Sequence, residues 1–309
     1  MSQSEQQALE QIIKQASRPL EPQPTAQNPE LPKLAGVRAV LFDIYGTLII
    51  SGSGDIGAAD PTIRGQAFAD ALAAVGVEYQ GDCAAGARAL RHQIDASHDR
   101  SRAAGVEFPE IDIVEVWRLT CEELARGNSI AMGQQINHQQ LAVEFEVRTN
   151  PVWPMPGLLD CLADLKRKGL ILGIISNAQF FTPLVFPALA RQTLDNLGVA
   201  PELRYYSYEY GRAKPGEWLY EKAARGLADQ DNPIHPTETL YVGNDLRNDI
   251  WPAAQVGFRT TLFAGDQRSL RLREDAPNRD QQPEPDAIVT QLNQIPTIIG
   301  ESDIGESQS

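Results

Sequence analysis

Polar residues with the potential for catalysis follow several apolar segments of this chain. They are Asp43, the pair Ser176 and Asn177, Lys214, Asp245 and Asp249. Each has an ordinary explanation when taken alone, because an aspartate at a strand end often caps a helix and a Ser-Asn pair is usually a turn. In a parallel sheet, however, the carboxyl ends of the strands meet at one edge, where such folds bind their ligands. Together the set predicts one crevice that holds three carboxylates and an ammonium group.

The elements that would position these residues alternate along the chain between strands and helices. Strand-like apolar runs occur at 39–46, 170–177, 203–211, 239–245 and 258–265. Between them, segments such as GLLDCLADLKRKG and GEWLYEKAARGLA have the periodicity of helices with one apolar face. The alternation predicts an α/β protein with a doubly wound, Rossmann-like parallel sheet that helices cover on both faces.

One long helical stretch interrupts this alternation and suggests a second domain. Residues 58–150 contain four segments of helical period and are about as long as a small domain, which predicts an inserted α-helical cap domain. The α/β core would then comprise residues 37–57 and 151–300. Residues 1–36 read as an N-terminal helix followed by a proline-rich linker, and residues 301–309 as a disordered tail.

The composition restricts the classes of function. The chain of 309 residues has 27 Lys and Arg against 41 Asp and Glu, and a net charge of -14 argues against a nucleic-acid partner. No apolar run is long enough for a membrane span and the N-terminus lacks the pattern of a signal peptide, so we expect a cytoplasmic protein without a membrane partner. The spacing of Cys83, Cys121 and Cys161 predicts neither a disulfide framework nor a zinc site.

Four motifs in chain order resemble those of the haloacid dehalogenase (HAD) superfamily of hydrolases. They are DIYGT at 43–47, the SN of IISNAQ, KP at 214–215 and GNDLRND at 243–249. The resemblance covers about residues 37–265, and the later segment PDAIVTQLNQIPTII is similar to the usual last strand and helix of the family. Membership would imply a hydrolase that acts on a small molecule.

The resemblance also implies a role for each matching residue. Asp43 would be the nucleophile, and Mg2+ would be bound by Asp43, the main-chain carbonyl of Tyr45 and Asp245, which are hard oxygen ligands. Asp249 would contact a metal-bound water or orient Lys214, and Lys214 would shield the negative charges of nucleophile and phosphate. The residues expected to contact substrate are Ser176, through its hydroxyl group, together with Gly46, Thr47 and Asn177.

Tyr45 and the fourth motif point to different members of the superfamily. Most of its phosphatases have a second aspartate at the position of Tyr45, which protonates the leaving oxygen and then activates water. The members known for Asp-x-Tyr-Gly-Thr are the 2-haloacid dehalogenases, which use no metal and need no proton donor for the halide. Those enzymes replace the metal-binding acid of the fourth motif with small polar residues, whereas this chain keeps Asp245 and Asp249.

Three functions therefore stay open on the sequence. A Mg2+-dependent phosphatase for a small phosphorylated metabolite is favoured, a metal-independent 2-haloacid dehalogenase is the first alternative, and a catalytically weakened ligand- or partner-binding member is the second. Phosphonoacetaldehyde hydrolase chemistry needs a cap lysine, and residues 34–165 contain no lysine. For a phosphatase, the phenol of Tyr45 is a poor base at neutral pH, so another group has to supply the proton. Asp55, in the glycine-rich loop 51–57, is the candidate that the sequence offers.

Overall fold

The computed structural model describes residues 1–53, 61–133 and 135–300, and its centre is a six-stranded parallel sheet. The order of the strands in the sheet is β5-β4-β1-β6-β7-β8, and the predicted doubly wound α/β fold is confirmed. Two further strands, β2 and β3, form an antiparallel ribbon. The strands are β1 (Ala39–Phe42), β2 (Ile49–Ser51), β3 (Val152–Pro154), β4 (Ile171–Ser176), β5 (Val199–Tyr206), β6 (Thr239–Gly243), β7 (Arg259–Phe263) and β8 (Ala287–Val289).

The register of the central strands places the ends of β1, β4 and β6 side by side. Ala39 of β1 pairs with Ile171 of β4 on one side and with Thr239 of β6 on the other, and all three strands run parallel. All four residues of β1 are completely buried, as expected of a parallel strand that is covered on both faces. The amide of Asp43 donates to the carbonyl of Val242 (2.9 Å), so the ladder continues to the first residue beyond β1.

Helices cover the sheet and form the separate cap. They are α1 (Gln3–Ala16), α2 (Pro61–Ala74), α3 (Cys83–Ala103), α4 (Ile113–Arg126), α5 (His138–Thr149), α6 (Leu158–Arg167), α7 (Ser207–Tyr210), α8 (Trp218–Ala228), α9 (Trp251–Gln255) and α10 (Ile295–Ile298). The cap consists of α2 to α5, and its apolar side chains form one cluster with residues of α1 and of the segment after β4. In this cap core Trp117 stacks on Phe68 and meets Phe145 edge to face. The ribbon of β2 and β3 lies where the chain leaves the sheet for the cap and returns. None of the described helices is both long and apolar enough to cross a membrane.

The first thirty-six residues pack along the rest of the protein. Helix α1 begins with a capping box at Ser2 and buries Leu9 and Ile13 in the cap core, where they meet residues of the segment after β4. The proline-rich linker then follows the far edge of the sheet, where Glu30 forms a β-bridge with Ile288 and the Thr25 hydroxyl donates to the carbonyl of Ala264 (2.7 Å). Residues 1–36, the leader, therefore contact both the cap and the core.

Strand β5 ends earlier than its sequence pattern predicts. The apolar run 203–211 suggests a strand throughout, but β5 ends at Tyr206 and Ser207–Tyr210 form a helical turn. The Ser207 hydroxyl accepts a hydrogen bond from the amide of Ala178 (2.9 Å), which holds the chain in a turn at this point. Gly211 ends the turn with a positive φ of 61°. Asp55 and the predicted tail 301–309 lie outside the described residues.

Candidate active site

A cavity of about 250 Å³ lies at the carboxyl edge of the sheet, beyond the ends of β1 and β6. Asp43, Lys214, Asp245 and Asp249 all line it, so the charged residues of three motifs share one space. All four are nearly buried, with at most 6% of their surface exposed. This catalytic cavity matches the crevice in which open α/β sheets bind their ligands.

Lys214 connects the proposed nucleophile to the fourth motif. Its ammonium nitrogen lies 2.7 Å from Oδ1 of Asp43 and 2.6 Å from Oδ1 of Asp249. Burial alone would lower the pKa of Lys214, but the two carboxylates outweigh it and raise the pKa, so the side chain stays protonated. The ammonium group thus neutralises part of the charge that would otherwise repel an anionic substrate from Asp43.

Asp249 is held by its carboxylate oxygens rather than exposed to substrate. Oδ2 accepts the amides of Asn244 and Asp245 (both 3.0 Å), and Oδ1 accepts Lys214. The Tyr241 hydroxyl lies 3.2 Å from Oδ1 but makes its shorter hydrogen bond, of 2.8 Å, to the carbonyl of Ile175. Burial raises the pKa of Asp249 and the charge of Lys214 opposes this effect. With three donors, one of them a cation, the group fits a carboxylate that orients Lys214, the second of the two roles implied by the family resemblance.

Two glycines allow close packing around the cavity. Gly46 has a φ of +84°, and a Cβ atom there would lie 2.6 Å from Cβ of Ser269 and 2.7 Å from Nδ2 of Asn244 in the fourth motif. A Cβ on Gly243 would lie 2.4 Å from Cγ of Asp249 within the same motif. A larger residue would therefore displace the first motif at position 46 and Asp249 at position 243.

Some of the residues predicted to contact substrate line the cavity, and others only hold the surrounding loops in place. The side chain of Asn177 lines the cavity, but its amide group clamps the main chain of Lys214, accepting its N–H (2.8 Å) and donating to its carbonyl (3.2 Å). The Thr47 hydroxyl donates to Oδ1 of Asn244 (3.0 Å) and ties the first motif to the fourth. Ser176 is completely buried and does not line the cavity, because its hydroxyl group turns to the carbonyl of Asn177 (3.4 Å).

Asp245 forms an ion pair that its motif does not predict. Arg273, from the loop after β7, places Nε 2.9 Å from Oδ1 of Asp245 and Nη2 against Oδ2. Oδ1 also accepts the amides of Arg247 (2.9 Å) and Asn248 (3.2 Å), which makes Asp245 the N-cap of the following helical turn. Both oxygens of this proposed metal ligand therefore already have donors.

The oxygen donors implied for the metal are of the type that Mg2+ prefers, but one of them, Asp245, is already paired with Arg273. Within the described ranges no group of three or more His, Cys, Asp or Glu residues is arranged to hold a metal ion. The set implied by the family resemblance is smaller: two carboxylates, Asp43 and Asp245, and the main-chain carbonyl of Tyr45. These are hard oxygen donors, the type of ligand that suits Mg2+. A cation at this place would have to replace the guanidinium of Arg273 on Asp245.

Tyr45 has the surroundings of a neutral phenol. Its hydroxyl group lies 3.1 Å from the hydroxyl of Thr182, which also accepts the amide of Gln179. Burial raises the pKa of Tyr45 far above its ordinary value, and the negative charge of Glu146 adds to this effect. The phenol therefore cannot act as a base at neutral pH.

The structure brings one further carboxyl group, Glu110, to the wall of the catalytic cavity. Glu110 lies in the cap loop between α3 and α4 and is partly buried. Its oxygens accept hydrogen bonds from the Ser207 hydroxyl (2.7 Å), the amide of Ile111 (2.9 Å) and the side chain of Gln179 (3.2 Å). Sequence reasoning missed this residue because the segment VEFPEID has no motif around it.

A second cavity, of about 230 Å³, lies between the cap and the core. Its walls are mainly apolar and include Trp117, Phe145 and Phe181, with polar groups such as Glu146 and Arg64 among them. Burial raises the pKa of Glu146, which accepts a hydrogen bond from the amide group of Asn150 (3.1 Å). Of the described residues, only Tyr45 and Glu110 line both this cap cavity and the catalytic cavity.

Comparisons with known proteins agree with this architecture. A family model described as haloacid dehalogenase-like hydrolase matches residues 37–257. A search of curated proteins found no match. Among solved structures, an HAD phosphatase from Thermococcus onnurineus is 16% identical, with 87% of this chain and 100% of that chain covered and a TM-score of 0.52. A 2-haloacid dehalogenase from Pseudomonas syringae pv. tomato DC3000 is 20% identical, with 85% and 97% covered and a TM-score of 0.52. At these identities, the two structures support the fold and do not distinguish the reactions.

Proposed function

Because the chain belongs to the haloacid dehalogenase-like hydrolases, we propose that it is a Mg2+-dependent phosphatase for a small phosphorylated metabolite. Asp43 would attack the phosphorus atom and form an aspartyl-phosphate, while the leaving oxygen departs with a proton. Water would then hydrolyse the aspartyl-phosphate, releasing phosphate and restoring the carboxylate of Asp43. Mg2+ bound by Asp43, Asp245 and the Tyr45 carbonyl would offset the negative charges that meet in this step.

The observation that carries the proposal is the nearly buried carboxylate of Asp245 beside Asp43. Both residues line the catalytic cavity together with Asp249 and Glu110, so four acidic side chains share it with two basic ones, Lys214 and Arg271. A reaction that needs no cation has no use for the added negative charge next to the nucleophile. A metal ion and a phosphate group account for both the acids and the lysine.

Activity with and without metal tests this proposal directly. We expect phosphate release from a panel of phosphorylated metabolites in the presence of Mg2+, and loss of that activity in chelator. Asp245→Asn should reduce turnover about 10²-fold or more, since interactions that stabilise charge in the transition state are often worth that much. Asp275→Asn, in the same loop as Arg273 but exposed, is the matched control. Turnover that is equal in Mg2+ and chelator, and unchanged in Asp245→Asn, would contradict the phosphatase.

A metal-independent 2-haloacid dehalogenase is the second candidate, and a specific observation favours it. The Arg273 guanidinium binds both oxygens of Asp245, so the acid already has a counter-charge within the protein. The phenol of Tyr45 would be no disadvantage, because a halide leaves without a proton. Chelator-resistant release of chloride from a 2-chloro acid would identify this reaction.

The Arg273 pair gives a prediction that does not depend on turnover. We expect Arg273→Met to increase the affinity for Mg2+ about tenfold, because about 1.4 kcal/mol of competition for Asp245 would be removed. Titration calorimetry on the two proteins without substrate measures this change. Arg279→Met serves as control, since that side chain pairs with Glu284 outside the cavity. An unchanged affinity would mean that Arg273 does not compete with the cation.

A further inference from the structure

The catalytic cavity and the cap cavity meet at one pair of residues. The first holds Asp43 and is polar, and the second has mainly apolar walls formed by the cap and the segment after β4. A phosphate ester with its phosphorus atom near Asp43 would extend its organic part towards the cap cavity. Within the described part of the chain, Tyr45 and Glu110 alone line both spaces, so the bond to be broken would pass beside them.

From this placement we propose that Glu110 is the catalytic acid and base that the first motif lacks. The inference rests on the proposed phosphatase function and deepens it. The proton of the Glu110 carboxyl group would pass to the leaving oxygen as the Asp43–phosphorus bond forms and the phosphorus–oxygen bond breaks. The Glu110 carboxylate would then take a proton from the water that attacks the aspartyl-phosphate, which frees Asp43 and regenerates the acid.

The hydrogen bonds of Glu110 suit both of its protonation states. As a carboxylate it accepts from Ser207, Gln179 and the amide of Ile111. When it is protonated, its Oε2 can donate to the Ser207 hydroxyl, which then donates to the carbonyl of Ala178 at 3.3 Å. A group that can gain and lose a proton without leaving a buried partner unsatisfied is suited to proton transfer.

The surroundings of Glu110 also raise its pKa. Burial is the main cause and the three hydrogen bonds oppose it. The charged groups that face the same two cavities are Asp43, Lys214, Asp245, Asp249 and Arg271 from the core and Arg64, Arg91, His98 and Glu146 from the cap. A raised pKa brings the carboxyl group closer to the operating pH, where general acids are most effective.

The cap loop that carries Glu110 is fixed to the core near Lys214. The Glu110 amide donates to the carbonyl of Gly211 (3.2 Å), and the amide of Ala213 donates to the carbonyl of Phe108 (2.8 Å). Pro109 and Arg212 form a β-bridge between these hydrogen bonds. The loop is therefore positioned by main-chain contacts, so a change in the Glu110 side chain need not displace it.

The test compares two leaving groups in Glu110→Gln. With an alkyl phosphate, whose alkoxide needs a proton, we expect kcat to fall about 10²- to 10⁴-fold. With p-nitrophenyl phosphate, whose leaving group needs little protonation, the variant should form the aspartyl-phosphate and release the first nitrophenol as fast as the wild type. Hydrolysis of the aspartyl-phosphate should then be slow, so nitrophenol appears as a burst followed by slow turnover. The alkyl kcat/KM of the wild type should decline as pH rises through the pKa of Glu110, and the variant should lack this decline. Glu107→Gln, exposed on the same loop, is the control.

The results can separate a failure of the acid role of Glu110 from a failure of the proposed phosphatase function. If Glu110→Gln slows the burst and the alkyl reaction equally, or leaves both unchanged, the acid role is wrong even though the wild type is a phosphatase. If the wild type releases phosphate from neither ester, the proposed function itself fails. Should Glu110→Gln not fold, Ser207→Ala replaces it. Loss of the Ser207 donor would raise the pKa of Glu110 and move the alkaline decline to higher pH, and an unmoved decline would overturn the proposal.

Discussion

Replacement of Asp43 by asparagine is expected to abolish turnover, with a loss of at least about 10⁴-fold, because removal of the nucleophile in other enzymes with covalent intermediates costs up to about 10⁶-fold. The fold should survive, since the asparagine oxygen can still accept from Lys214 and Lys214 keeps Asp249 as a partner. The measurement is kcat with p-nitrophenyl phosphate, together with the mass of the acid-quenched enzyme. Only the wild type should acquire a phosphoryl group.

An exposed aspartate provides the control for this experiment. Asp160 lies on the solvent side of α6, and Asp160→Asn should behave as the wild type does in both measurements. If Asp43→Asn kept most of its turnover, or if the phosphoryl group were found on another residue, the role of Asp43 as nucleophile would be wrong. The same variants report on dehalogenation, in which the Asp43 carboxylate would displace halide from carbon 2 of the acid, so that an ester to that carbon would replace the phosphoryl group on Asp43.

Replacement of Lys214 by methionine is expected to lower the free energy of unfolding more than any other substitution named above. The change leaves Asp43 and Asp249 nearly buried without the ammonium group that pairs with both. Breaking a buried ion pair by removing one partner typically costs about 3–5 kcal/mol of the free energy of unfolding. Unfolding in urea at pH 7 measures this loss, and Lys14→Met on the exposed face of α1 should change the free energy by less than about 0.5 kcal/mol.

The loss in Lys214→Met should depend on pH in a defined direction. Burial already raises the pKa of Asp249 and Lys214 opposes this effect, so without the lysine Asp249 holds its proton to higher pH in the folded protein than in the unfolded chain, where aspartate has a pKa of about 3.9. The folded state then binds more protons than the unfolded state, so the stability of the variant falls as pH rises above this value. The difference from the wild type should be smaller at pH 5 than at pH 7. If the difference in the free energy of unfolding did not depend on pH, the loss of stability would not come from a buried carboxylate that has lost its counter-charge.

Two of the acids that the sequence predicts lie at strand ends. Asp43 comes directly after β1 and Asp245 two residues after β6, and the parallel pairing of these strands brings both acids to one edge of the sheet. The fold class is predictable for the same reason, because alternating apolar patterns encode both the strands and their crossovers. Ser176 shows the limit of this reasoning, since its position at the end of β4 is as predicted but its hydroxyl group turns away from the cavity.

Glu110 and Arg273 could not be found in this way. Each lies in an irregular loop, 104–112 in the cap and 264–278 after β7, and neither loop has a periodic pattern that fixes its path. Their places depend on long-range contacts: the β-bridge between Pro109 and Arg212 for the first, and that between Asp245 and Arg271 for the second. Sequence spacing carries no information about such pairings, so these two residues required the three-dimensional structure.

The position of helix α1 has a consequence for the exchange of substrate and product. Leu9 and Ile13 are buried where the cap core meets Phe181 and Leu184 of the α/β core, so helix α1 contacts both the cap and the core. A hinge motion that separates the domains would have to pull this helix from one of them and bring apolar side chains into water, at about 1.5–3 kcal/mol for each that becomes fully exposed. Release of product through such a motion would therefore be no faster than the detachment of this helix.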